Sequence, residues 1–497
     1  MGLAARGWVA QATQCRDILK ESMPISYQIS EEKLPPKELL ITETTATDLV
    51  KKMGSGTWTA EEVTIAFLKR ATIEDALYQA KRLDAIFQET HELVGPLHGV
   101  PISVKEHVGI KGRVYNAGFL GWSDFVSPDD AHIVQFLRNA GAIMHVRTNE
   151  PQSLMHMDSA NNITGRTLNP FNRNLSPGGS SGGEGASLGF RCAVLGVGTD
   201  IGGSSRLPAA FNGVYGLRPT AFRLPLAGLR ATGPGQESIR GVIGPLAGSG
   251  LGQNPWKMNP SLVPVPWRLV DTPTGLAVGI MKNDNVVHPH PPIARALLVT
   301  EKKLQAAGVN VVEWVPFQHE QINKIPISLF SADGHRNLKE APETSGEPIL
   351  PLTDAVLNWG NEIRVYENWE LNYKREILRA QYHGLMQQRG VDLILSPAYV
   401  GVAPKNETGT YIGYTSVWNV LDHPSVVIPT GLAVDQELDV SDTTYRPRSE
   451  LDAREQAKYA PERFTDAPIG LQLIGKRFGD EELLARAKLV HQIITSP

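Results

Sequence analysis

Short apolar runs rich in β-branched residues alternate along this chain with stretches of helical periodicity, and this alternation limits the fold more than any other feature. Helical spacing is clear at residues 131–140 and 292–306, and a capping-box pattern beginning at Thr59 predicts a helix over 59 to about 85. The pattern is typical of an α/β fold in which α-helices cover a large, mixed, mostly buried β-sheet. The predicted strands are the runs 100–104, 142–146, 192–197, 276–281, 309–314, 391–395, 425–428 and 470–474.

No linker, repeat or block of like charge divides the 497 residues, so we expect one large structural unit. Residues 1–90 are predicted to form a helical portion packed on the core, and residues 91–497 the main domain. Two polar or proline-bearing stretches, 244–266 and 434–466, are predicted to be loops. The second carries many charges and is expected to be a solvated insertion.

Composition excludes several classes of protein. With 41% hydrophobic residues and a net charge of −4, the chain is neither disordered nor equipped with a basic surface for nucleic acid or anionic membranes. No stretch approaches the ~18 apolar residues of a membrane span, and the N-terminus lacks a signal-peptide pattern. The two cysteines, Cys15 and Cys192, support neither a disulfide framework nor a cysteine metal site. A reducing, cytoplasmic location is therefore expected.

Glycine is concentrated in one part of the chain, because 12 of the 47 glycines fall within residues 178–216. They flank Ser180 and Ser204, and glycine allows backbone N–H groups to approach a ligand closely. Such N–H groups beside a serine nucleophile form an oxyanion hole. Other interpretations of the segment are weaker. The phosphate-loop pattern, with its lysine, is absent, and a dinucleotide-binding pattern fails because Ile201 stands where its last glycine is needed. An α/β-hydrolase elbow with Ser181 as nucleophile would need a strand directly before it, and the preceding residues are typical of a loop. A glycine-rich structural turn remains open from these segments alone.

Lys105 follows a strand-like run in which Ile102 and Val104 share one face, so its side chain is predicted on the other face. If both faces are covered, the buried amine has a lowered pKa and can act as a general base. The alternative is an ion-paired surface lysine. His107 is expected nearby, with packing as the favoured role, and no histidine lies in an H-E-x-x-H metal pattern.

At these residues the sequence resembles the amidase signature family. Its serine-rich segment is matched by residues 178–183, its Gly-Thr-Asp-x-Gly-Gly-Ser segment by 198–204, and its lysine-containing strand at Lys105, 75 residues before Ser180. The chain is most similar to fungal acetamidase-type amidases through the runs 169–175, 211–219 and 287–292. The resemblance extends from about residue 35 to the C-terminus. It implies the same α/β fold, the amidase signature fold.

The resemblance also implies roles for individual residues. Ser204 would be the nucleophile, Ser180 a bridging serine after a cis peptide bond, and Lys105 the neutral base. Leu154 would line the substrate site. The backbone N–H groups that would form the oxyanion hole belong to Ile201, Gly202, Gly203 and Ser204.

The expected activity is hydrolysis of a small aliphatic or aryl carboxylic amide to the acid and ammonia, through an acyl-enzyme and without metal or cofactor. An esterase or transacylase using the same serines, or a pseudo-amidase that only binds amides or a partner, stays open. The sequence does not fix the oligomeric state and is compatible with a homodimer. Compared with similar enzymes, position 205 is serine instead of an apolar residue, and the segments 71–78 and 247–256 look shortened.

Overall fold

The computed structural model describes residues 35–68, 74–245, 259–271 and 275–496, which form the predicted mixture of helices and strands. The strands are β1 (Pro101–Lys105), β2 (Ile143–Thr148), β3 (Ala160–Asn161), β4 (Gly165–Arg166), β5 (Leu195–Asp200), β6 (Gly216–Arg218), β7 (Val242–Pro245), β8 (Ala277–Ile280), β9 (Asn310–Glu313), β10 (Leu393–Pro397), β11 (Ser425–Ala433) and β12 (Pro468–Ile474). The helices are α1 (Pro36–Glu43), α2 (Ala46–Gly54), α3 (Ala60–Leu68), α4 (Glu74–Thr90), α5 (His132–Asn139), α6 (Gly182–Gly189), α7 (Arg206–Phe211), α8 (Pro291–Ala306), α9 (His319–Phe330), α10 (Arg336–Ser345), α11 (Pro351–Leu357), α12 (Val365–Gln388), α13 (Gly413–Leu421), α14 (Glu450–Gln456) and α15 (Asp480–Thr495).

The strands pair in a mixed arrangement, as predicted. One sheet has the order β2–β1–β5–β7 and a second has the order β6–β11–β12–β10–β8–β9, with β3 and β4 forming a separate small hairpin. β1 runs parallel to both β2 and β5, whereas β7 is antiparallel to β5. The edge strand β7 contacts β6 of the second sheet. The two sheets therefore meet along a junction between β6 and β7.

Each sheet has its own hydrophobic core. In the first, Leu49 and Val63 of the N-terminal helices pack with Val104 of β1 and Ile143 of β2. The second core surrounds the six-stranded sheet and includes residues of α8, α9, α12, α13 and α15. Helices thus cover the strands, which explains why the predicted strands are nearly continuous apolar runs. No helix within the described ranges is long and apolar enough to cross a membrane.

The N-terminal helices follow their sequence signals closely. Thr59 Oγ1 accepts a hydrogen bond from the Glu62 N–H (3.0 Å) and the Glu62 carboxylate accepts one from the Thr59 N–H (3.1 Å), which is the predicted capping box. The predicted helix over 59–85 corresponds to α3 and α4, between which residues 69–73 lie outside the described part. Of the two segments that look shortened in the sequence, 71–78 is described only from Glu74 onward and 247–256 lies outside the described residues. The division at residue 90 stays a prediction.

The predicted solvated loop over 434–466 is wrong in two respects. It contains the helix α14 and a 3-10 turn at Pro461–Arg463, and its carboxylates Asp439, Asp452 and Glu455 are buried. Asp439 pairs with Arg295 of α8 at 2.7 Å. A carboxylate that was predicted to be solvated therefore attaches the segment to the core. The predicted loop over 244–266 likewise begins inside β7, which pairs with β5.

Candidate active site

Lys105 is the last residue of β1, a strand with parallel neighbours on both sides. Ile102 and Val104 point into the first core, whereas Ser103 and Lys105 point to the opposite face. That face is covered by α6, whose Glu184 accepts a hydrogen bond from Ser103 Oγ over 2.6 Å. Both faces are therefore covered, and Lys105 is 0% exposed, as predicted for this position.

The Lys105 amine has two hydroxyl partners. Its Nζ donates to Ser180 Oγ over 2.7 Å and to Thr199 Oγ1 over 3.2 Å. Burial lowers the pKa of Lys105 to about 8, while the carboxyl groups of Glu150 and Glu184 partly oppose that decrease. At pH 7, about one tenth of the amine is consequently neutral and can accept a proton.

Ser180 is held by the glycine-rich segment that leads into α6. The Gly179–Ser180 peptide bond is cis, as the resemblance implies. A side chain at Gly179 would meet the backbone oxygen of His156 at 2.3 Å, so only glycine fits this close approach. The glycines of this segment therefore allow the backbone to pack tightly enough to bring Ser180 to the amine of Lys105.

Ser204 lies in the turn between β5 and α7, and a buried ion pair organises that turn. Asp200, at the end of β5, pairs with Arg206 of α7 at 3.0 Å, and both side chains are fully buried. The same carboxylate accepts the N–H groups of Gly203 (2.9 Å) and Ser205 (3.2 Å). Burial raises the pKa of Asp200, but the Arg206 charge outweighs that effect and holds the pKa well below its usual range. An ionised carboxylate therefore fixes the backbone on both sides of Ser204.

The four predicted oxyanion donors differ in whether their N–H group already has a hydrogen-bond partner. The Gly203 N–H is already bonded to Asp200, so the prediction for this one donor is not met in the described geometry. No partner for the N–H groups of Ile201, Gly202 and Ser204 is present in the part of the chain that the structure describes. Gly203 instead serves the turn through its backbone, with φ at +131° and no room for a side chain beside Thr415.

A cavity of about 300 Å³ brings the predicted groups together. Ser180, Ser204, Ile201 and Leu154 line it, and Gly202 lines a smaller adjoining space that Ser204 also reaches. Its remaining wall is mixed, with charged residues and with the apolar residues Leu226, Leu229, Phe330 and Leu338. Leu154, Ser180 and Ser204 thus surround one space, whereas Lys105 does not line it and contacts Ser180 from behind the wall.

Of the other polar residues considered in the sequence, His107 lines the cavity, whereas Ser181 and Ser205 do not. Ser181 is fully buried, and its hydroxyl donates to the Thr199 backbone oxygen over 3.2 Å. The described residues 167–181 contain no strand leading directly into this serine, which rules out the hydrolase elbow. Ser205 is buried and does not line the cavity. His290, which lies in the run 287–292 that carries the resemblance, contacts the Glu455 backbone oxygen at 3.0 Å and does not line the cavity either. Within the described ranges, no group of three or more His, Cys, Asp or Glu residues could hold a metal ion.

Sequence reasoning did not identify Thr199, Asp200 or Arg206 as parts of the site. Thr199 and Asp200 lie within the matched segment 198–204, and that position was the available signal. Arg206 is held by Asn419 and Gln472, more than 200 residues away in sequence, which no local pattern can show.

Comparisons with known proteins identify the family of the chain. The model of the family described as "Amidase" matches residues 48–484. A Schizosaccharomyces pombe protein named as an amidase is 43% identical over 480 residues, which cover 91% of this chain and 90% of that protein. The acetamidase of Emericella nidulans is 39% identical over 500 residues, covering 93% of this chain and 91% of the acetamidase.

A solved structure of a related protein has the same fold. A fatty acid amide hydrolase superposes with a TM-score of 0.92 at 37% identity, over 98% of this chain and 95% of that one. The α/β fold expected from the sequence is therefore confirmed. From the family match over most of its length and the identity to these relatives, the chain belongs to the amidase family.

Proposed function

We propose that the protein hydrolyses a carboxylic amide, with Ser204 as nucleophile, Ser180 as proton relay and Lys105 as base. One observation carries this proposal. A fully buried amine lies 2.7 Å from a serine hydroxyl, and that serine shares a cavity with a second serine in a glycine-rich turn. A buried amine of lowered pKa is the kind of base that activates an alcohol without histidine.

In the proposed reaction, Ser204 Oγ attacks the amide carbon while its proton passes to Ser180 and the proton of Ser180 passes to Lys105. The resulting tetrahedral oxyanion accepts hydrogen bonds from the N–H groups of Ile201, Gly202 and Ser204. Each such donor is worth about 3 to 4 kcal/mol in comparable acyl-transfer sites. The C–N bond breaks as Ser180 protonates the leaving nitrogen and takes back the proton held on Lys105. Water then attacks the acyl-enzyme, which releases the carboxylic acid and returns a proton to Ser204.

The proposed substrate is a small aliphatic or aryl amide, with ammonia as the second product. The cavity of about 300 Å³ is at the lower end of the ~300–1,000 Å³ range of ligand pockets. The names of relatives, acetamidase and fatty acid amide hydrolase, show that members of the family act on amides of different size. A cytoplasmic location and a homodimer stay predictions.

Labelling with a fluorophosphonate tests the proposal directly. We expect the wild-type protein to react, and peptide mass spectrometry to place the adduct on Ser204. Ammonia release from acetamide, propionamide and benzamide is measured on the same preparation. A folded protein that neither labels nor releases ammonia would contradict the proposal and favour a pseudo-amidase. Turnover of esters alone would favour the esterase alternative.

The lowered pKa of Lys105 predicts the pH profile of the reaction. Because the base must be neutral, kcat/KM should fall as the pH decreases below about 8, where the amine becomes protonated. The decrease approaches tenfold per pH unit, so activity at pH 6 should be roughly one hundredth of the plateau. Initial rates between pH 5.5 and 10 measure this limb. A limb centred near pH 4 or 5 would instead indicate a carboxylate base.

A further inference from the structure

A chain of hydrogen bonds connects the amine of Lys105 to a backbone carbonyl on the far side of His107. The Arg230 carbonyl lies 2.7 Å from His107 Nδ1. His107 Nε2 lies 3.0 Å from Thr199 Oγ1, and that oxygen lies 3.2 Å from Lys105 Nζ. His107 and Lys105 are 5% and 0% exposed, and no step of the chain requires a bound water.

The chemistry of these groups fixes the direction of each hydrogen bond. A carbonyl oxygen can only accept, so the hydrogen of the His107 ring is on Nδ1. Burial, together with the nearby Lys105, lowers the pKa of His107 to about 3, so the ring is neutral and its Nε2 can only accept. The single hydroxyl hydrogen of Thr199 is therefore donated to His107. Its oxygen is left as an acceptor toward Lys105.

This polarity determines what the neutral amine of Lys105 presents to Ser180. A neutral amine has two N–H bonds and one lone pair. Because the Thr199 hydroxyl hydrogen is donated to His107, Thr199 Oγ1 can only accept a hydrogen bond from one of the N–H bonds of the amine. We infer that His107 is a positioning residue which, through Thr199, keeps the lone pair of Lys105 available to the proton of Ser180. This role rests on the proposed function, because it concerns the base of that reaction.

Without the imidazole acceptor, the Thr199 hydroxyl can rotate and donate its hydrogen to the Lys105 lone pair. It would then compete with Ser180 for the electron pair that has to receive the proton. The carboxyl groups near Lys105 belong to Glu150, Glu184 and Asp200 and raise its pKa through their charge. None of them forms a hydrogen bond with the amine within the described ranges, so they do not select the direction of the lone pair.

Two substitutions at position 107 separate the two hydrogen bonds of the ring. His107→Asn keeps a donor for the Arg230 carbonyl but has no acceptor at the position of Nε2. His107→Gln places a carbonyl oxygen near that position. We expect His107→Asn to lower kcat about 10- to 100-fold, whereas His107→Gln stays within a few-fold of wild type. The acidic limb of the His107→Asn profile should move to lower pH, because the freed Thr199 hydroxyl can donate to the lone pair of Lys105 and so favours the neutral amine.

A double-mutant cycle distinguishes this role from simple packing. Thr199→Val removes the hydroxyl at nearly constant volume, and Thr199→Ser retains it. In the Thr199→Val background, His107→Asn should have no further effect on kcat or on the pH limb. Full additivity of the two substitutions, or a His107→Asn enzyme with wild-type kcat and an unmoved limb, would overturn the inference.

The remaining outcomes are also decisive. Thermal unfolding shows whether each variant folds. If His107→Asn does not fold, the comparison of Thr199→Val with Thr199→Ser carries the test, and equal kcat values and equal limbs for these two would contradict the inference. A wild-type protein without labelling or amide turnover would instead refute the proposed function itself.

Discussion

Ser204→Ala is expected to lower kcat for amide hydrolysis on the order of 10⁶-fold, because nucleophile and base act as a unit and loss of either removes the covalent route. The residual rate would come from oxyanion donors and substrate binding, which the substitution leaves in place. KM should change little, since alanine removes one oxygen from the cavity wall. Steady-state ammonia release, followed at high enzyme concentration, measures the decrease.

Ser205→Ala is the matched control for this experiment. Ser205 is the next residue of the same turn, but it is fully buried, does not line the cavity, and its hydroxyl has no hydrogen-bond partner within the described ranges. We therefore expect wild-type labelling and turnover from Ser205→Ala. Retained turnover in Ser204→Ala, with loss in Ser205→Ala, would move the nucleophile to position 205.

Arg206→Met should produce the largest loss of stability among the site variants. The substitution leaves Asp200 as a fully buried carboxylate without its cation, and removal of one partner of such a pair costs about 3–5 kcal/mol of the free energy of unfolding. The turn that carries Ser204 also loses its anchor. A displacement of about 1 Å can cost roughly 100-fold in rate, so labelling per folded molecule should slow to that degree. Urea unfolding and labelling kinetics measure the two effects.

Arg223→Met is the control that separates the loss of stability from the slower labelling of Ser204. Arg223 forms a comparably buried pair with Glu481 at 2.6 Å, and neither residue lines the cavity. This control should lose stability but label at the wild-type rate per folded molecule. Equal slowing in Arg206→Met and Arg223→Met would show that the Asp200–Arg206 pair has no specific role at the nucleophile.

The fold could be predicted from the sequence where apolar residues form short runs. Each of the eight predicted runs overlaps a strand, and most of these strands lie between covered faces, where a continuous apolar run is expected. The edge strand β9 is an exception, since its Asn310 and Glu313 are exposed. β7 and α14 were not predicted. β7 is only four residues long and contains a glycine and a proline, although its Val242 and Ile243 are buried. α14 lies in a charged segment whose buried Asp439 pairs with Arg295, 144 residues away in sequence.

The site residues could be predicted where they lie in sequence segments that match the family. The alternation of side chains in β1 predicts the face on which Lys105 lies, whereas its place beside Ser180 is implied by the resemblance. The hydrogen bonds of Asp200, Arg206 and His107 could not be predicted, because they join segments that only the folded backbone brings together. The Gly203 N–H is an example, since the fold of the turn directs it to the Asp200 carboxylate.

The junction between the two sheets has a consequence for how such an enzyme can evolve. Lys105 extends from the first core, whereas Arg206, which fixes the turn of Ser204, is held by Asn419 and Gln472 from the second. The alignment of base and nucleophile is therefore a property of neither core alone. Substitutions that repack either core can change the catalytic rate without touching the cavity, so selection on turnover and selection on folding act on the same residues.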